Sequence, residues 1–304
     1  MSFLKKLAGG GKTNVQALRA KGDITGLVAL LEHKESAICR QAADALDQLG
    51  WKPTSDQAGI TYWIVRGDWD ALAAVGAPAV PPLLAVANSQ PESQPSVIDP
   101  PLACVVSMGA AAVEPLIRAL GDSDQNMVAR AEEALLGLGQ AALGPMVEGL
   151  RQAPTEKLST AIANFGETAI PALITALRRS TGDERREVML TLKLISVTHL
   201  MQVARTLAPL FGSSDPEVID AAGKLYVDML WGRWHSYPPG TGAGVVVEVF
   251  LHELMETHAR LRDLLLNGIK AMHMPESNPY DSIGLLAEQK SVRDELVRQL
   301  ESWM

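Results

Sequence analysis

A short apolar segment that recurs four times after a glycine constrains the fold of this chain more than any other feature. Counting from each glycine, the third residue is always Ala, the fourth is Val, Leu or Ile, and the seventh and eighth are Leu, Ile, Met or Val. The segments follow Gly76, Gly109, Gly139 and Gly166. Apolar residues at positions i, i+3 and i+4 are typical of one face of a helix. Each segment therefore predicts an amphipathic helix.

A second apolar run precedes these glycines, as residues 127–138 precede Gly139. A glycine in this position predicts a helix end in the left-handed conformation, which costs a residue without Cβ little. Proline lies early in the helix that follows, where a missing amide hydrogen is tolerated. The polar run 122–124 offers side-chain oxygens that can cap the partner helix, which starts just after it. The unit is thus a pair of helices between two glycines.

Each helix pair has an apolar face that it cannot bury alone, so neighbouring pairs are expected to stack. We extend the pattern backwards to 24–32 and 37–49, a pair that ends at Gly50, and forwards to 184–196, 200–211 and 216–230. The low aromatic content of 5% agrees, because it leaves a core of small aliphatic residues that suits closely packed helices. The expected fold is all-α, an α-solenoid of stacked antiparallel helix pairs.

At these residues the sequence resembles the HEAT-repeat family, especially its short bacterial and archaeal branch with phycobilisome-lyase-like repeats. The resemblance rests on the helix after each glycine, on the Ala-Ala-x-Ala-Leu core at 42–46, and on the closing glycine. It covers about 22–230 and implies an armadillo-type solenoid. Members of the family include scaffolds, bilin-lyase subunits, DNA-alkylation glycosylases and a metal-dependent hydroxylase, so the resemblance indicates fold far better than function.

The expected organisation has four parts. Residues 1–21 form an N-terminal leader, 22–230 form the repeats, 231–244 form a loop rich in aromatic residues, Gly and Pro, and 245–304 form a helical cap. The start of the chain fails as a signal peptide, since three glycines follow its lysines, and no stretch reaches the ~18 apolar residues that span a bilayer. We expect a cytoplasmic protein with no membrane partner. Cys39 and Cys104 are expected to be buried free thiols.

Several catalytic patterns are present only in fragments. Gly11-Lys12-Thr13 lacks the earlier glycine and the strand of a phosphate-binding loop. His252 and His258 are six residues apart, so one helix cannot direct both at a zinc ion. The positions at which the hydroxylase relatives place iron ligands hold Arg40-Gln41 and Ala129-Arg130. We therefore expect neither an enzyme nor a cofactor nor a bound metal.

Two segments offer alternatives for binding. Two arginine pairs, at 178–179 and 185–186, flank a turn and would suit phosphate, but the interleaved acidic residues favour a solvated turn. The net charge of −8 also makes nucleic acid an unfavourable partner overall. Tyr62, Trp63 and Trp69 suit core packing, with Asp68 as a helix cap, or else a partner surface.

The 231–244 loop is the candidate binding site, because Trp, Tyr and Arg dominate the energetics of interfaces. Its candidate residues are Trp231, Arg233, Trp234, His235 and Tyr237. The alternative is that this segment covers the end of the repeat stack. The expected function is that of a non-catalytic scaffold or adaptor for a protein partner. A bilin-lyase-like accessory role and nucleic-acid binding remain alternatives, and the sequence indicates nothing about small molecules.

Overall fold

The regular structure of the chain is helical wherever it is described. The computed structural model describes residues 11–89 and 99–236, and within these ranges there are helices and no strand. The all-α prediction is confirmed. The helices are α1 (Gly11–Ala20), α2 (Ile24–Ala29), α3 (Ser36–Gln48), α4 (Gln57–Arg66), α5 (Trp69–Val75), α6 (Val80–Ser89), α7 (Pro100–Ser107), α8 (Ala110–Ala119), α9 (Gln125–Leu138), α10 (Gln140–Gln152), α11 (Glu156–Ala163), α12 (Ile170–Arg179), α13 (Gly182–Leu207) and α14 (Pro216–Ser236).

The chain divides into two compact units, one up to Pro145 and one from Met146, so the division falls inside α10. The first helices of the successive pairs in the first unit, which we call the opening helices, are α2, α4, α6 and α8. The second helices, which we call the closing helices, are α3, α5, α7 and α9. Among the opening helices α4 contacts α6 and α6 contacts α8, while among the closing helices α5 contacts α7 and α7 contacts α9. From the pair α4 and α5 onwards, each pair thus packs on the next with like helices together.

In the second unit, the contacts between like helices are those of the closing helices. The closing helices are α11, α13 and α14; α13 contacts both of the others, and it also packs on α12. Short 3-10 segments, Gly166–Ala169 and Ala208–Gly212, precede α12 and follow α13. The central position of α13 among its neighbours matters for the site described below.

The repeated apolar positions are buried as the sequence predicts. The alanine at the third position has no exposed surface in any of the four segments, at Ala79, Ala112, Ala142 and Ala169. The fourth, seventh and eighth positions are buried too, with the exception of Ile117, which is half-buried. Alanine is needed at the third position because a fully enclosed site in close-packed helices leaves no room for a longer side chain.

The glycines break the helices at the predicted residues but not with the predicted geometry. Gly76, Gly109 and Gly139 have φ of 72°, 58° and 60°, and ψ of −136°, −132° and −138°. These angles lie outside the left-handed helical region that we expected, in a region that side chains exclude for every residue except glycine. The left-handed cap occurs instead at Gly67, with φ 67° and ψ 30°.

Polar side chains cap the helices and link neighbouring pairs. Asp68 and Asp124 cap α5 and α9, as predicted, by accepting hydrogen bonds from the backbone N–H groups of Ala71 and Asn126. Asn88 Nδ2 also donates to Asp124 Oδ2 at 2.9 Å, which joins α6 to the start of α9. Asn88 is the twelfth residue after Gly76, and Arg151, the twelfth after Gly139, has the same role in the second unit.

Two boundaries differ from the prediction. The expected leader 1–21 contains α1, because Val15 is buried and Leu18 packs against the core formed by α2 and α3. The expected loop 231–244 starts too early, because α14 continues to Ser236. A single glycine at position 232 does not stop this helix, whereas Pro238 and Pro239 are strong helix breakers. Residues 1–10, 237–244 and the expected cap 245–304 lie outside the described residues.

Candidate protein-binding surface

Helix α13 carries two apolar faces, and the elements described in residues 11–89 and 99–236 bury only one of them. The helix begins after Thr181 and is bent at His199, whose φ of −123° and ψ of 43° are not helical. Val188, Leu192 and Ile195 are buried on the face that packs against the neighbouring helices. Their spacing of four and three residues is that of an ordinary core-facing stripe.

The other face exposes three large apolar side chains in succession. Leu190, Leu194 and Val197 have 43%, 47% and 65% of their surface exposed. Their spacing is also four and three residues, so they follow one line along α13. We call these three residues the α13 row. A helix with apolar residues on two sides is usually buried on both sides. The described residues bury only one side of α13.

Charged and polar side chains border the α13 row. At 100° per residue, Arg186 and Lys193 lie along one edge of the row, and both are exposed. Along the other edge lie the half-buried Glu187 and the exposed Thr198. The row is therefore bordered by charges of both signs.

His199, at the bend that ends the row, contacts the turn before α12. The Nδ1 atom of His199 lies 2.7 Å from Oγ1 of Thr198. On its other side the ring packs against Gly166, where a Cβ atom would lie 3.1 Å from His199 Cε1. Gly166 has a φ of 59°, so both its backbone and its neighbour require glycine. This contact holds the ring against the turn before α12.

Polar contacts near the start of α13 fix the helix in the second unit. Arg151 donates from Nε to Ser180 Oγ at 3.1 Å and from Nη2 to Glu184 Oε2 at 3.0 Å. The side chain of Arg185 is only 8% exposed and bonds Glu217 at 3.0 Å, with Asp215 at 3.7 Å. A helix held at its N-terminal end by two arginines presents the α13 row on a rigid support.

The two arginine pairs that flank the turn, at 178–179 and 185–186, therefore differ in exposure. Arg185 is buried and occupied by carboxylates, while Arg178, Arg179 and Arg186 are exposed. Four guanidinium groups do not lie together on one surface, because the buried one serves the packing of α13 on α14. The turn lacks the broad set of cations that a phosphate backbone requires.

The aromatic segment in the first unit contributes to the core, which was one of the two predicted alternatives. Tyr62 is buried, meets Trp51 edge-on at 5.4 Å between ring centres, and lies under the guanidinium of Arg66. Its hydroxyl donates to Asp47, which also pairs with Arg66. Burial, followed by the hydrogen bond to Asp47, raises the pKa of Tyr62, so the phenol stays neutral. Trp63 and Trp69 are half-buried.

The described residues contain two free cysteines and no cluster that could hold a metal ion. Cys39 and Cys104 are free and buried, as predicted, and burial raises the pKa of both thiols. A thiol held in its protonated form is a poor nucleophile. Across residues 11–89 and 99–236, no three His, Cys, Asp or Glu side chains converge in a way that could hold a metal ion. His252 and His258 lie outside that part of the chain.

The residues that the sequence singled out for binding are only partly placed. The backbone of Trp231, Arg233, Trp234 and His235 belongs to the last turns of α14, and Tyr237 lies outside the described residues. The α13 row was missed. The sequence does contain a sign of this row: two sets of apolar residues at helical spacing alternate in 188–197. One buried helix face accounts for only one of these sets.

No family model matches the chain, and no curated protein sequence matches it. In the described part of the chain, no single helix has the length and apolar character to cross a membrane. Two bent helix pairs, Trp69–Val75 with Ala77–Ser89 and Glu156–Ala163 with Gly166–Arg179, meet that test together by length and composition alone.

Proposed function

We propose that this chain is a non-catalytic scaffold of HEAT-like helical repeats that binds a protein partner through the α13 row. The observation that carries the proposal is the exposure of Leu190, Leu194 and Val197 on one line of one helix. Single exposed apolar residues are ordinary on protein surfaces, but a contiguous line bordered by polar residues is typical of an interaction site.

The fold supports this proposal in two ways. Like helices of successive pairs contact each other from α4 to α9, as do α11, α13 and α14 in the second unit; this packing order supports a solenoid, and solenoids present extended faces to their partners. The sequence resemblance to HEAT repeats favours the same architecture. Covering three half-exposed aliphatic side chains contributes on the order of 1 kcal/mol for each, which suits the centre of a modest interface.

Affinity capture from an extract of the source cells tests the proposal when it compares variants of matched exposure. One variant replaces Leu190, Leu194 and Val197 with Ser, and the control is Leu136→Ser on α9, since Leu136 is 43% exposed like Leu190. We expect the triple variant to lose a partner that the wild type and the control retain, with all three proteins melting alike.

The same experiment separates the rival functions. A protein captured equally by the triple variant would contradict a role for the α13 row. Capture that is abolished by nuclease would indicate nucleic-acid binding, and a co-purifying tetrapyrrole with visible absorbance would indicate the bilin-lyase-like role. Either of these results would replace the scaffold proposal.

A further inference from the structure

The turn between α12 and α13 combines two arginines with an exposed hydroxyl group. Arg178 and Arg179 end α12, and Thr181 follows as the N-cap residue of α13. Ser180 and Thr181 are the only Ser or Thr residues of the sequence with two arginines among the three residues before them. The α13 row begins nine residues after Thr181, so the proposed function does not use this turn.

The two hydroxyl groups of the turn differ in what they contact. Ser180 has no exposed surface, and its Oγ accepts a hydrogen bond from Arg151 Nε at 3.1 Å. Thr181 is exposed, and its side chain does not cap α13. The backbone is extended at both residues, with φ of −133° and ψ of 160° at Thr181. Thr181 therefore carries the hydroxyl that another protein can reach.

The two arginines select the kind of protein that reaches this hydroxyl. Arg178 and Arg179 are exposed, and they lie in the last turn of α12, where a helix frays most readily. Glu148, the carboxylate that Arg179 influences, already bonds Arg151 at 2.8 Å. Charge patterns around an acceptor hydroxyl decide which protein kinase binds it. Guanidinium groups three and two residues before the acceptor pair with carboxylates of the kinases that select basic substrates.

We propose that Thr181 is a phosphorylation site for a protein kinase that selects arginine before the acceptor. This inference goes beyond the proposed function and does not rest on it. The γ-phosphoryl group of Mg-ATP moves to Oγ1 of Thr181. The bond from the γ-phosphorus to the oxygen that bridges it to the β-phosphorus breaks, and a bond from the γ-phosphorus to Oγ1 forms. The hydroxyl proton passes to a carboxylate of the kinase, and ADP leaves.

The phosphate changes the charge of this turn. The exposed charged side chains of residues 178–186 are three cations and one anion, namely Arg178, Arg179, Arg186 and Asp183. A phosphothreonine carries a charge of about −1.5 to −2 at pH 7, so it cancels most of the positive excess. Phosphorylation thus converts a cationic turn into a nearly neutral one.

A kinase that selects carboxylates after the acceptor fits the turn less well. Such a kinase would read Glu184, which is three residues after Thr181. The side chain of Glu184 is half-buried and accepts a hydrogen bond from Arg151 Nη2 at 3.0 Å. Its carboxylate is therefore engaged within the protein, whereas the two arginines before Thr181 are exposed.

Phosphate transfer to the folded, full-length protein tests the inference. The two probes are an extract of the source cells and the catalytic subunit of cyclic-AMP-dependent protein kinase, which selects paired arginines; each is used with radiolabelled Mg-ATP. We expect both to place phosphate on Thr181, as located by mass spectrometry, and neither to label Thr181→Val. This variant keeps the shape of the side chain and should melt with the wild type, because the hydroxyl does not cap α13.

Arginine variants test what the kinase selects. Replacing both Arg178 and Arg179 with Ala should lower kcat/KM for phosphorylation by at least about tenfold, because two charge-assisted contacts are lost. The matched control Arg186→Ala removes an exposed arginine on the other side of Thr181 and should change kcat/KM by less than about twofold. A control that falls as far as the double variant would overturn the inference, as would phosphate on Ser180 or transfer only to protein unfolded in urea.

The protein from its own cells gives the final outcome. Mass spectrometry of the chain purified from source cells with phosphatase inhibitors should find phosphothreonine at position 181. Transfer by the purified kinase alone, with none by the extract and only unmodified Thr181 from the cells, would overturn the inference. So would labelling by the extract that is lost in Glu184→Gln and kept in the double arginine variant. None of these results depends on the α13 row, so the proposed function stands or falls separately.

Discussion

Glycine at the turns between helix pairs is required by backbone geometry and not by space. A Cβ atom added at Gly139 would meet no neighbour within 4 Å, yet the φ of 60° and ψ of −138° are closed to other residues by contacts within the residue itself. Gly144, five residues later in α10, is exposed and equally free of neighbours, but it needs no positive φ.

These two glycines make a matched pair of predictions. Gly139→Ala should lower the free energy of unfolding by about 1–3 kcal/mol, because alanine must adopt a strained conformation. Gly144→Ala should change it by less than about 1 kcal/mol, because the helix preference of alanine is offset by the contact of its Cβ atom with the ring of Pro145. Urea denaturation measures both. Equal destabilisation by the two substitutions would show that the turn geometry is not the reason for the glycine.

The buried leucines of the repeat test its packing. Leu116 has no exposed surface, so Leu116→Ala should cost about 2–5 kcal/mol through lost burial and an unfilled cavity. Leu136→Ala removes the same atoms from a side chain that is 43% exposed, and it should cost less than about 1 kcal/mol. Urea midpoints that fall alike for the two variants would contradict the assignment of the repeat positions to the core.

At the scale of helices, arginine and aspartate side chains join one pair to the next. The buried Arg185 links α13 to the start of α14. The folded protein needs carboxylates near this guanidinium, because a buried charge without a counter-ion is destabilising. Asp215→Asn with Glu217→Gln would leave the guanidinium buried without an anion. Because both carboxylates are partly exposed, we expect a loss on the order of 2 kcal/mol, below the 3–5 kcal/mol of fully buried pairs.

Removing the guanidinium of Arg185, in place of its carboxylate partners, should destabilise the protein less. Arg185→Met keeps a long apolar stem and leaves the carboxylates in contact with water, so it should cost less than the double carboxylate variant. Chemical denaturation of both variants decides the point. If Arg185→Met is the more damaging change, the ion pair itself stabilises the junction more than this reasoning allows.

The cap of α9 gives a dependence on pH with a defined sign. The backbone N–H of Asn126 and then the side chain of Asn88 lower the pKa of Asp124, because both donate to its carboxylate. A lowered pKa in the folded state means stabilisation that is present above the ordinary pKa of about 3.9 and lost as the pH falls through the folded value.

Comparison with Asp124→Asn isolates the contribution of the carboxylate charge. Asparagine keeps one acceptor oxygen for the N–H of Asn126 but loses the second oxygen, which accepts from Asn88. The wild type should melt higher than Asp124→Asn above about pH 5, and the two melting temperatures should converge below about pH 3. A difference that stays constant across this range would show that the charge of Asp124 has no part in the cap.

Sequence reasoning succeeded where the cause is local and failed where it is tertiary. The buried Ala142 and the turn at Gly139 were predictable, because steric limits act within a few residues. The exposure of Leu194 was not, since an apolar residue in a helix is ordinarily assigned to the core and only its neighbours decide otherwise. Similarly, nothing near Val15 indicated that α1 would pack on α2 and α3.

At the scale of the whole molecule, the proposed function makes the repeats a support and the α13 row the binding surface. The candidate residues of α14 and the α13 row lie on helices that contact each other in the second unit. Trp234→Ala and Tyr237→Ala therefore remain informative: if these residues bind, capture should weaken by about 2 kcal/mol while the melting temperature holds. Variants that melt several degrees lower and still capture the partner would show that this segment covers the core.

The most direct measurement of the central claim is carbene footprinting of the protein alone and in complex with its captured partner. Diffusible carbenes label exposed side chains of every kind, so Leu190, Leu194 and Val197 should be labelled strongly in the free protein and protected in the complex. Leu136 should be labelled equally in both, because it is as exposed as Leu190 and lies outside the proposed surface. Labelling of the α13 row that is unchanged by the partner, or absent from the free protein, would contradict the account.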